Sequence, residues 1–201
     1  MTATLDTLAL PHEAQDLLFR EARTANAFTA EPVTDEQLRE VYELVKWGPT
    51  AMNSQPLRVV FVRGEDAKAR LAPHMSQGNR AKTLAAPVTA ILAADTDFHE
   101  HLARTFPHYP GAKDVFADDA RRAEAAKTSA LLQAGYFIVG VRAAGLAAGP
   151  MSGFDAEGVR REFFDGTHQL PLIVVNIGHP DHSGTHPRNV RLDYDEVVRV
   201  L

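Results

Sequence analysis

Residues 47–56 read WGPTAMNSQP, and the polar stretch within them, residues 50–55, separates a helical pattern from a strand-like one. Before it, Thr34 is followed three residues later by Gln37, the capping-box pattern of a helix N-terminus. The apolar side chains of one helical face then follow at Leu38, Val41, Leu44 and Val45. We expect this helix to stop at Gly48 and Pro49, because proline cannot continue a helix. After the polar stretch, residues 57–62 are β-branched and aromatic, which predicts a buried strand.

The rest of the chain continues this mixture of helical and strand-like segments. Helices are predicted over residues 12–23, 65–75, 118–146 and 155–164, with 118–146 as a long central helix. Strands are predicted over residues 88–94 and 170–177. The polar stretch that follows Asp95 and runs through Pro110 is interpreted as a surface excursion, and Gly149-Pro150 as a break in the pattern. The order predicts a mixed α and β protein.

Composition limits the domain count and the possible partners. The chain has 201 residues, of which 45% are hydrophobic and 23% charged, enough for one well-buried core. No repeat or linker divides it, so one domain is expected over residues 1–201. The net charge of -5 includes no basic block, so neither nucleic acid nor a membrane is expected as a partner. Without a basic leader or an apolar stretch long enough to span a bilayer, a cytoplasmic location is expected.

The absence of cysteine excludes several kinds of chemistry. Disulfides, zinc–thiolate sites, iron–sulfur clusters and thiol catalysis all require cysteine, and the chain has none. Redox chemistry would therefore need a borrowed cofactor. Residues 179–201 are polar and extended before a short apolar end at 197–201, which we expect to pack on a neighbouring subunit.

Common nucleotide, hydrolase and metal motifs were tested and do not fit. There is no glycine-rich dinucleotide fingerprint, residues 78–83 lack the second glycine of a P-loop, and Ser152 has the wrong spacing for a nucleophile elbow. A small group of side chains could in principle converge on a metal: His179, Asp181, His182 and His186. A solvated loop explains them better, so no metal site is predicted.

Several polar side chains suit a phosphorylated, amide-rich ligand. Arg23 and Thr24 follow the first helix, and Arg188 and Arg191 lie near the C-terminus, so two cationic points could clamp one phosphate. Two further pairs present amides and a cation at Asn53 with Gln55 and at Asn79 with Lys82. Taken singly, these residues are explained equally well as surface arginines, a polar turn and an exposed helix face.

Taken together, these residues resemble a known family. Residues 47–56, 79–82 (NRAK) and 149–154 (GPMSGF), with the two tail arginines, occur in the order and rough spacing of the nitroreductase superfamily. The resemblance covers nearly the whole chain, from about residue 17 to residue 201. Within the superfamily, residues 46–50, 86–90 and 149–155 look most like the malonic semialdehyde reductase branch of pyrimidine degradation. That branch implies an aldehyde substrate.

The resemblance implies an α+β fold with a central antiparallel-rich sheet wrapped by helices. It also implies an intertwined homodimer with two FMN molecules at the subunit interface. The residues implied for the FMN phosphate are Arg23, Thr24, Asn26, Arg188 and Arg191. Those implied for the pyrimidine edge are Asn79 and Lys82. Those implied to come from the partner subunit are Pro49, Thr50, Asn53 and Gln55. Those implied beside the ring, with backbone N–H groups near N5, are Pro150, Met151, Ser152 and Gly153.

Two departures from the family pattern affect this implied site. The family's N-terminal basic-Ser-basic motif appears here as residues 22–26, ARTAN, so cationic positions are replaced and Asn26 offers only a neutral hydrogen bond. Phosphate binding is therefore expected to depend on the C-terminal arginines. Many nitroreductases have an acidic residue where this chain has Ser152, which bears on substrate access and not on a backbone contact to N5.

The implied reaction is a ping-pong hydride transfer from NAD(P)H through FMN to an acceptor, and it requires no catalytic side chain. An acceptor carboxylate would need a cation or donors, for which residues 105–113 offer His108, Tyr109 and Lys113. Alternatives remain open: a nitroaromatic or quinone reductase of the same fold, a non-catalytic FMN-binding protein, or a dimeric scaffold without a cofactor. The preference between NADH and NADPH has no signature in the sequence.

Overall fold

The computed structural model describes residues 8–181, 183 and 187–201. The α-helices are α1 His12–Gln15, α2 Asp35–Val45, α3 Gly64–Leu71, α4 Gln77–Ala85, α5 Leu102–Thr105, α6 Asp119–Ala143, α7 Ala156–Phe163 and α8 Tyr194–Val197. The strands are β1 Leu57–Val62, β2 Val88–Asp95, β3 Ala147–Met151 and β4 Gln169–Gly178. A π-helical turn, Asp16–Arg20, continues α1.

One antiparallel sheet forms the centre of the fold, with the strand order β1-β2-β4-β3. Strand β2 pairs with β1 through Val59 opposite Leu92, and with β4 through Ile91 opposite Val174. Every residue of β2 is buried, because helices cover both faces of the sheet. Strands β1 and β3 are the two edges.

Helices α2 and α6 cover one face of the sheet. Val41 and Val45 of α2 pack with Phe137 and Val141 of α6 in the largest buried cluster. A Cβ atom on Gly140 would lie 2.1 Å from Cγ1 of Val45, so only glycine allows the two helices to approach this closely. On the other face, α3, α7 and the segment between α3 and α4 contribute a second cluster, which includes Leu71, Met75, Val159 and Phe164.

The fold agrees with the predicted α+β class, but several elements differ from their predicted bounds. The first helix stops at Arg20 instead of residue 23, and α6 stops at Ala143 instead of residue 146. Helix α4 was not predicted. Neither was β3, because Gly149-Pro150 was interpreted as a break. An edge strand tolerates this proline, since the missing N–H does not have to serve a second neighbour.

The segment after β2 was predicted to be a surface excursion, and this was wrong for its apolar residues. Phe98 and Leu102 are fully buried and pack with Phe116 and Ala130. The ring of Phe98 meets Phe116 edge-on at 4.9 Å between centroids. The polar and histidine-rich composition of the segment led to the wrong prediction. The buried contacts of Phe98 and Leu102 tie α5 to the central helix.

Candidate functional site

Four arginines from three parts of the chain surround one cavity of about 420 Å³. We call it the arginine pocket; its arginines are Arg23, Arg142, Arg188 and Arg191. Thr24 and Asn26 also line it, and no Asp or Glu among the described residues does. Arg188 donates to the backbone oxygens of Arg20 and Ala22, the latter at 3.1 Å, and so holds the tail against residues 20–26. The structure thus brings together all five residues implied for a phosphate and adds Arg142.

The arginine pocket is electropositive and poorly neutralised. Arg23 has an ion pair with Glu21 at 3.7 Å, but that carboxylate is largely exposed, and such pairs contribute little. Nε of Arg23 is buried with no partner among the described atoms. Burial lowers the pKa of Arg142, and the charge of Arg188 lowers it further. An anion in the pocket would relieve this repulsion and desolvation.

A second set of contacts connects the arginine pocket to helix α4. Nζ of Lys82 lies 3.5 Å from Oδ1 of Asn26, so the lysine stands at the border of the pocket. One turn earlier, Nδ2 of Asn79 donates to the backbone oxygen of Gly153 at 2.9 Å. The residues implied for the pyrimidine edge therefore lie between the pocket and the segment after β3.

The segment that leaves β3 presents backbone donors. The N–H groups of Ser152 and Gly153 have no acceptor within the described part of the chain. Met151 points away from this surface: its side chain is buried, and its sulfur accepts from Nδ2 of Asn176 at 3.9 Å. Met151 therefore offers only its backbone to a ligand, whereas Ser152 is exposed.

Two glycines let neighbouring segments approach β3 closely. A Cβ on Gly149 would lie 2.5 Å from the backbone oxygen of Ala25, whose N–H donates to Ala148 at 3.0 Å. A Cβ on Gly153 would lie 2.8 Å from Oγ of Ser76 and 3.0 Å from Nδ2 of Asn79. The two glycines thus fix residues 22–26 and α4 against the same strand end.

The turn before β1 is strained. Met52, Asn53 and Gln55 have φ values of 53°, 48° and 45°, in the left-handed region that non-glycine residues rarely adopt. Nδ2 of Asn53 donates to the oxygen of Thr105 at 2.8 Å, and the backbone N–H of Gln55 donates to Oγ1 of Thr50 at 3.2 Å. Each strained residue costs about 1–3 kcal/mol, and such strain is concentrated at functional sites.

This turn does not join the other site residues within one chain. It precedes β1, whereas residues 150–153 follow from β3 at the opposite edge of the sheet. Three strand spacings of about 4.8 Å separate these edges by about 14 Å. Pro49, Thr50, Asn53 and Gln55 therefore form a separate surface, as a contribution to a partner subunit would require.

A cleft of about 430 Å³ opens beside the strained turn; we call it the β1 cleft. Arg58, in the cleft wall, is paired with Asp95 at 2.7 Å, and Lys46 is paired with Glu43. Arg104 of α5 lines the cleft without an ion pair or side-chain hydrogen bond to any residue the structure describes. Sequence reasoning missed Arg104 and its neighbour His101, because nothing local marks them as site residues.

The three acceptor-binding candidates from residues 105–113 do not line the β1 cleft. Nζ of Lys113 lies 2.7 Å from Glu100, and the ring of His108 contacts that of Phe106 in a tilted arrangement with 3.9 Å between centroids. Tyr109 is exposed. For the metal alternative, no three His, Asp or Glu side chains among the described residues are placed to share an ion, and His182 and His186 lie outside those residues.

Apolar side chains are exposed on α2, on α6 and along the tail. Those of the two helices and of the turn after α2 are Tyr42, Leu44, Trp47, Leu131, Leu132 and Tyr136. Those of the tail are Val190, Leu192, Tyr194, Val197, Val198, Val200 and Leu201. Trp47 is 78% exposed and Val190 95%. No helix in the described part of the chain is long and apolar enough to cross a bilayer.

Comparison with known proteins identifies the family. The model of the nitroreductase family matches residues 19–179. The chain belongs to the nitroreductase family. A Streptomyces coelicolor protein named "Putative NADH dehydrogenase/NAD(P)H nitroreductase" is 61% identical over 196 residues, which cover 97% of this chain and all of that one. A protein of the same name from Leptothrix cholodnii is 54% identical over 202 residues, covering both chains fully.

Solved structures show the same fold in this nitroreductase's neighbours. A "putative nitroreductase" of Bacillus subtilis superposes with a TM-score of 0.82 at 25% identity, covering 94% of this chain and 99% of that one. Another, described as in complex with FMN, comes from Exiguobacterium sibiricum; its TM-score is 0.81 at 16% identity, with 97% and 100% coverage. These matches confirm the predicted nitroreductase-like fold.

Proposed function

We propose that this nitroreductase is an FMN-dependent NAD(P)H oxidoreductase that works as a homodimer. The observation that carries the proposal is the continuous surface from the arginine pocket, past Lys82 and Asn79, to the free N–H groups of Ser152 and Gly153. A phosphate, a heterocycle edge and a ring nitrogen need these donors in this order. The relative whose name contains NAD(P)H and the neighbouring structure in complex with FMN support the same cofactors.

Each part of this surface has a separate task. The arginines would bind the FMN phosphate with charge-assisted hydrogen bonds. Lys82 would place a positive charge beside the pyrimidine edge, and the amide of Asn79 would hydrogen-bond to it. When bound, FMN supplies a ring nitrogen that accepts a hydride from NAD(P)H and passes it to the second substrate. The free N–H groups of Ser152 and Gly153 would orient that end of the ring.

The homodimer accounts for the strained turn and for the exposed apolar surfaces. Residues 49–55 precede β1, at the sheet edge opposite to β3 and residues 150–153, so we assign them to the flavin held by the partner. The apolar face of α2 and α6 and the tail would be covered on association, since exposed patches of this kind mark interaction sites. The closeness of Gly48 to the ring of Tyr136, 3.0 Å from its ideal Cβ position, keeps Trp47 and Tyr136 on one surface.

For the acceptor, we propose malonic semialdehyde, the short carboxylated aldehyde implied by residues 46–50, 86–90 and 149–155. Hydride addition to its carbonyl carbon, with a proton from solvent, would give 3-hydroxypropionate. Arg104 supports this choice, because it is a cation without an ion pair among the described residues and lies beside the strained turn, to which α5 is tied by the Asn53–Thr105 hydrogen bond. A guanidinium is well suited to a carboxylate.

A second candidate acceptor is a nitroaromatic or a quinone, and the word nitroreductase in the names of the relatives favours the nitroaromatic. The test is to reduce the FMN-loaded enzyme with NAD(P)H without oxygen, then to mix it with each acceptor and record the rate of flavin reoxidation. Faster reoxidation by malonic semialdehyde would support the aldehyde, and faster reoxidation by the nitroaromatic would favour the second candidate. A flavin that NADH and NADPH both fail to reduce would indicate a non-catalytic FMN-binding protein.

A further inference from the structure

The N-terminal phosphate motif of this chain is short of positive charge. Residues 22–26 read ARTAN and provide a single cation, Arg23. Asn26 stands where the family resemblance leads us to expect a second basic residue. Its Oδ1 accepts a hydrogen bond from Nζ of Lys82 at 3.5 Å. The missing charge must come from elsewhere if the pocket is to hold a dianion.

Arg142 reaches the same pocket from the end of the central helix. It is the next-to-last residue of α6, and its side chain is half-buried. It lines the arginine pocket and also an adjoining cavity of about 230 Å³, and both cavities are lined by Arg23, Thr24 and Asn26. The C-terminus of α6 therefore lies directly behind the motif.

The guanidinium of Arg142 makes no hydrogen bond or ion pair with any residue that the structure describes. The other three arginines donate to backbone oxygens: Arg23 to Ala22, Arg188 to Ala22, and Arg191 to Asn189. Glu21 and Asp181 line the adjoining cavity, but neither lies within 4.0 Å of Arg142 in an ion pair. Arg142 keeps its donors available.

A purely structural role for Arg142 would be to complement the negative end of the α6 dipole. An exposed lysine or arginine would serve that purpose without loss of hydration. Arg142 is instead partly desolvated beside the like charge of Arg188, and both effects lower its pKa. Placing a cation there is unfavourable in the empty pocket and favourable once an anion binds.

We propose that Arg142 is a phosphate-binding residue that supplies the charge missing from the N-terminal motif. This inference rests on the proposed binding of FMN. The shared chemistry is a dianionic phosphate monoester, which Arg142 would meet from the C-terminal end of α6. Its fork of N–H groups suits phosphate oxygens, whereas a lysine would provide only a point charge.

The test compares FMN with riboflavin, which has the same ring but no phosphate. Dissociation constants are measured by quenching of flavin fluorescence for the wild type and for Arg142→Gln, Arg142→Lys and Arg188→Gln. Arg121→Gln, an exposed position on the same helix, is the matched control. Loss of a charge-assisted contact is expected to weaken FMN binding by about 10-fold or more in Arg142→Gln, with riboflavin binding unchanged. Arg142→Lys should fall between that variant and the wild type.

Two outcomes would overturn the role of Arg142. One is an equal loss of FMN and riboflavin affinity in Arg142→Gln, which would mean that the residue supports the fold. The other is an unchanged preference for FMN in Arg142→Gln while Arg188→Gln loses it. Thermal unfolding of each variant without flavin shows whether it folds. If Arg142→Gln does not fold, the FMN and riboflavin affinities of Arg142→Lys are compared with those of the wild type instead. Failure of the wild type to bind either flavin would instead contradict the proposed function itself.

Discussion

Nδ2 of Asn79 donates to the backbone oxygen of Gly153 across 2.9 Å and so joins helix α4 to the segment that follows β3. The same oxygen accepts from the backbone N–H of Ser76 at 3.0 Å. These two bonds hold the Gly153 carbonyl, directly after the backbone N–H groups of Ser152 and Gly153. The candidate site therefore depends on a contact between residues 74 positions apart in sequence.

Replacing Gly153 by alanine should disrupt this contact. The new Cβ would lie 2.8 Å from Oγ of Ser76 and 3.0 Å from Nδ2 of Asn79, so one of the partners must move. We expect FMN affinity to fall by about 10-fold, the cost of losing one or two hydrogen bonds. Fluorescence titration measures the effect. Gly78→Ala is the control, because its Cβ meets nothing within 4 Å; equal affinities in the two variants would contradict the account.

Arg104→Gln should weaken recognition of a carboxylated acceptor. Because Arg104 lines the β1 cleft without a partner in the described part of the chain, its removal is expected to raise the KM for malonic semialdehyde by about 10-fold to 100-fold and to leave FMN affinity unchanged. Steady-state assays measure the KM for the semialdehyde and for an uncharged aldehyde. Only the KM for the semialdehyde should rise, because the uncharged aldehyde has no carboxylate. Lys113→Gln is the matched control, since Lys113 is engaged by Glu100. If Lys113→Gln raised the KM for malonic semialdehyde more than Arg104→Gln does, residues 105–113 would bind the acceptor carboxylate instead of Arg104.

A charge on the exposed face of α6 should separate the subunits. Leu132→Glu is expected to shift the mass in solution from twice 22.0 kDa, or 44.0 kDa, towards 22.0 kDa, because a buried unpaired carboxylate is unfavourable. Light scattering after gel filtration measures the mass, and flavin content should fall with it. Leu84→Glu, similarly exposed but on α4, should remain dimeric. A wild type that is already monomeric and binds FMN would refute the assignment of residues 49–55 to the partner.

Gly140→Ala should loosen the packing of α2 on α6. Its Cβ would lie 2.1 Å from Cγ1 of Val45, so the helices must separate, at a cost of about 1–3 kcal/mol in the free energy of unfolding. Urea unfolding measures that free energy. In a Val45→Ala background the same substitution should cost much less, because the clashing methyl group is gone. If Gly140→Ala lowered the free energy of unfolding equally in the wild type and in Val45→Ala, the contact between Gly140 and Val45 would not determine how closely α2 and α6 pack.

Local patterns predicted some elements well. The capping box of α2 is present in both directions: the N–H of Gln37 donates to Thr34 at 3.2 Å, and the N–H of Thr34 donates to the side chain of Gln37 at 2.9 Å. Strand β3 was missed because its signal is not local. It forms by pairing with β4, with Gly149 opposite Asn176, and Pro150 is accepted only because β3 is an edge.

The candidate site depends even more on distant contacts. The family resemblance named the residues on α4, on β3 and in the tail, and the structure brings them to one surface. Arg142 could not be predicted in the same way, because in sequence it is one basic residue in a long helix. Only the packing of the end of α6 behind residues 22–26 places it in the arginine pocket.

The most direct test of the central claim is anaerobic reduction of the reconstituted protein. The chain is loaded with FMN, excess flavin is removed, and the visible absorbance is followed as NADH or NADPH is added. We expect about one FMN per chain, and we expect at least one of the two nucleotides to bleach the absorbance of the bound flavin. A protein that retains no FMN, or a bound flavin that neither nucleotide bleaches, would contradict the central claim.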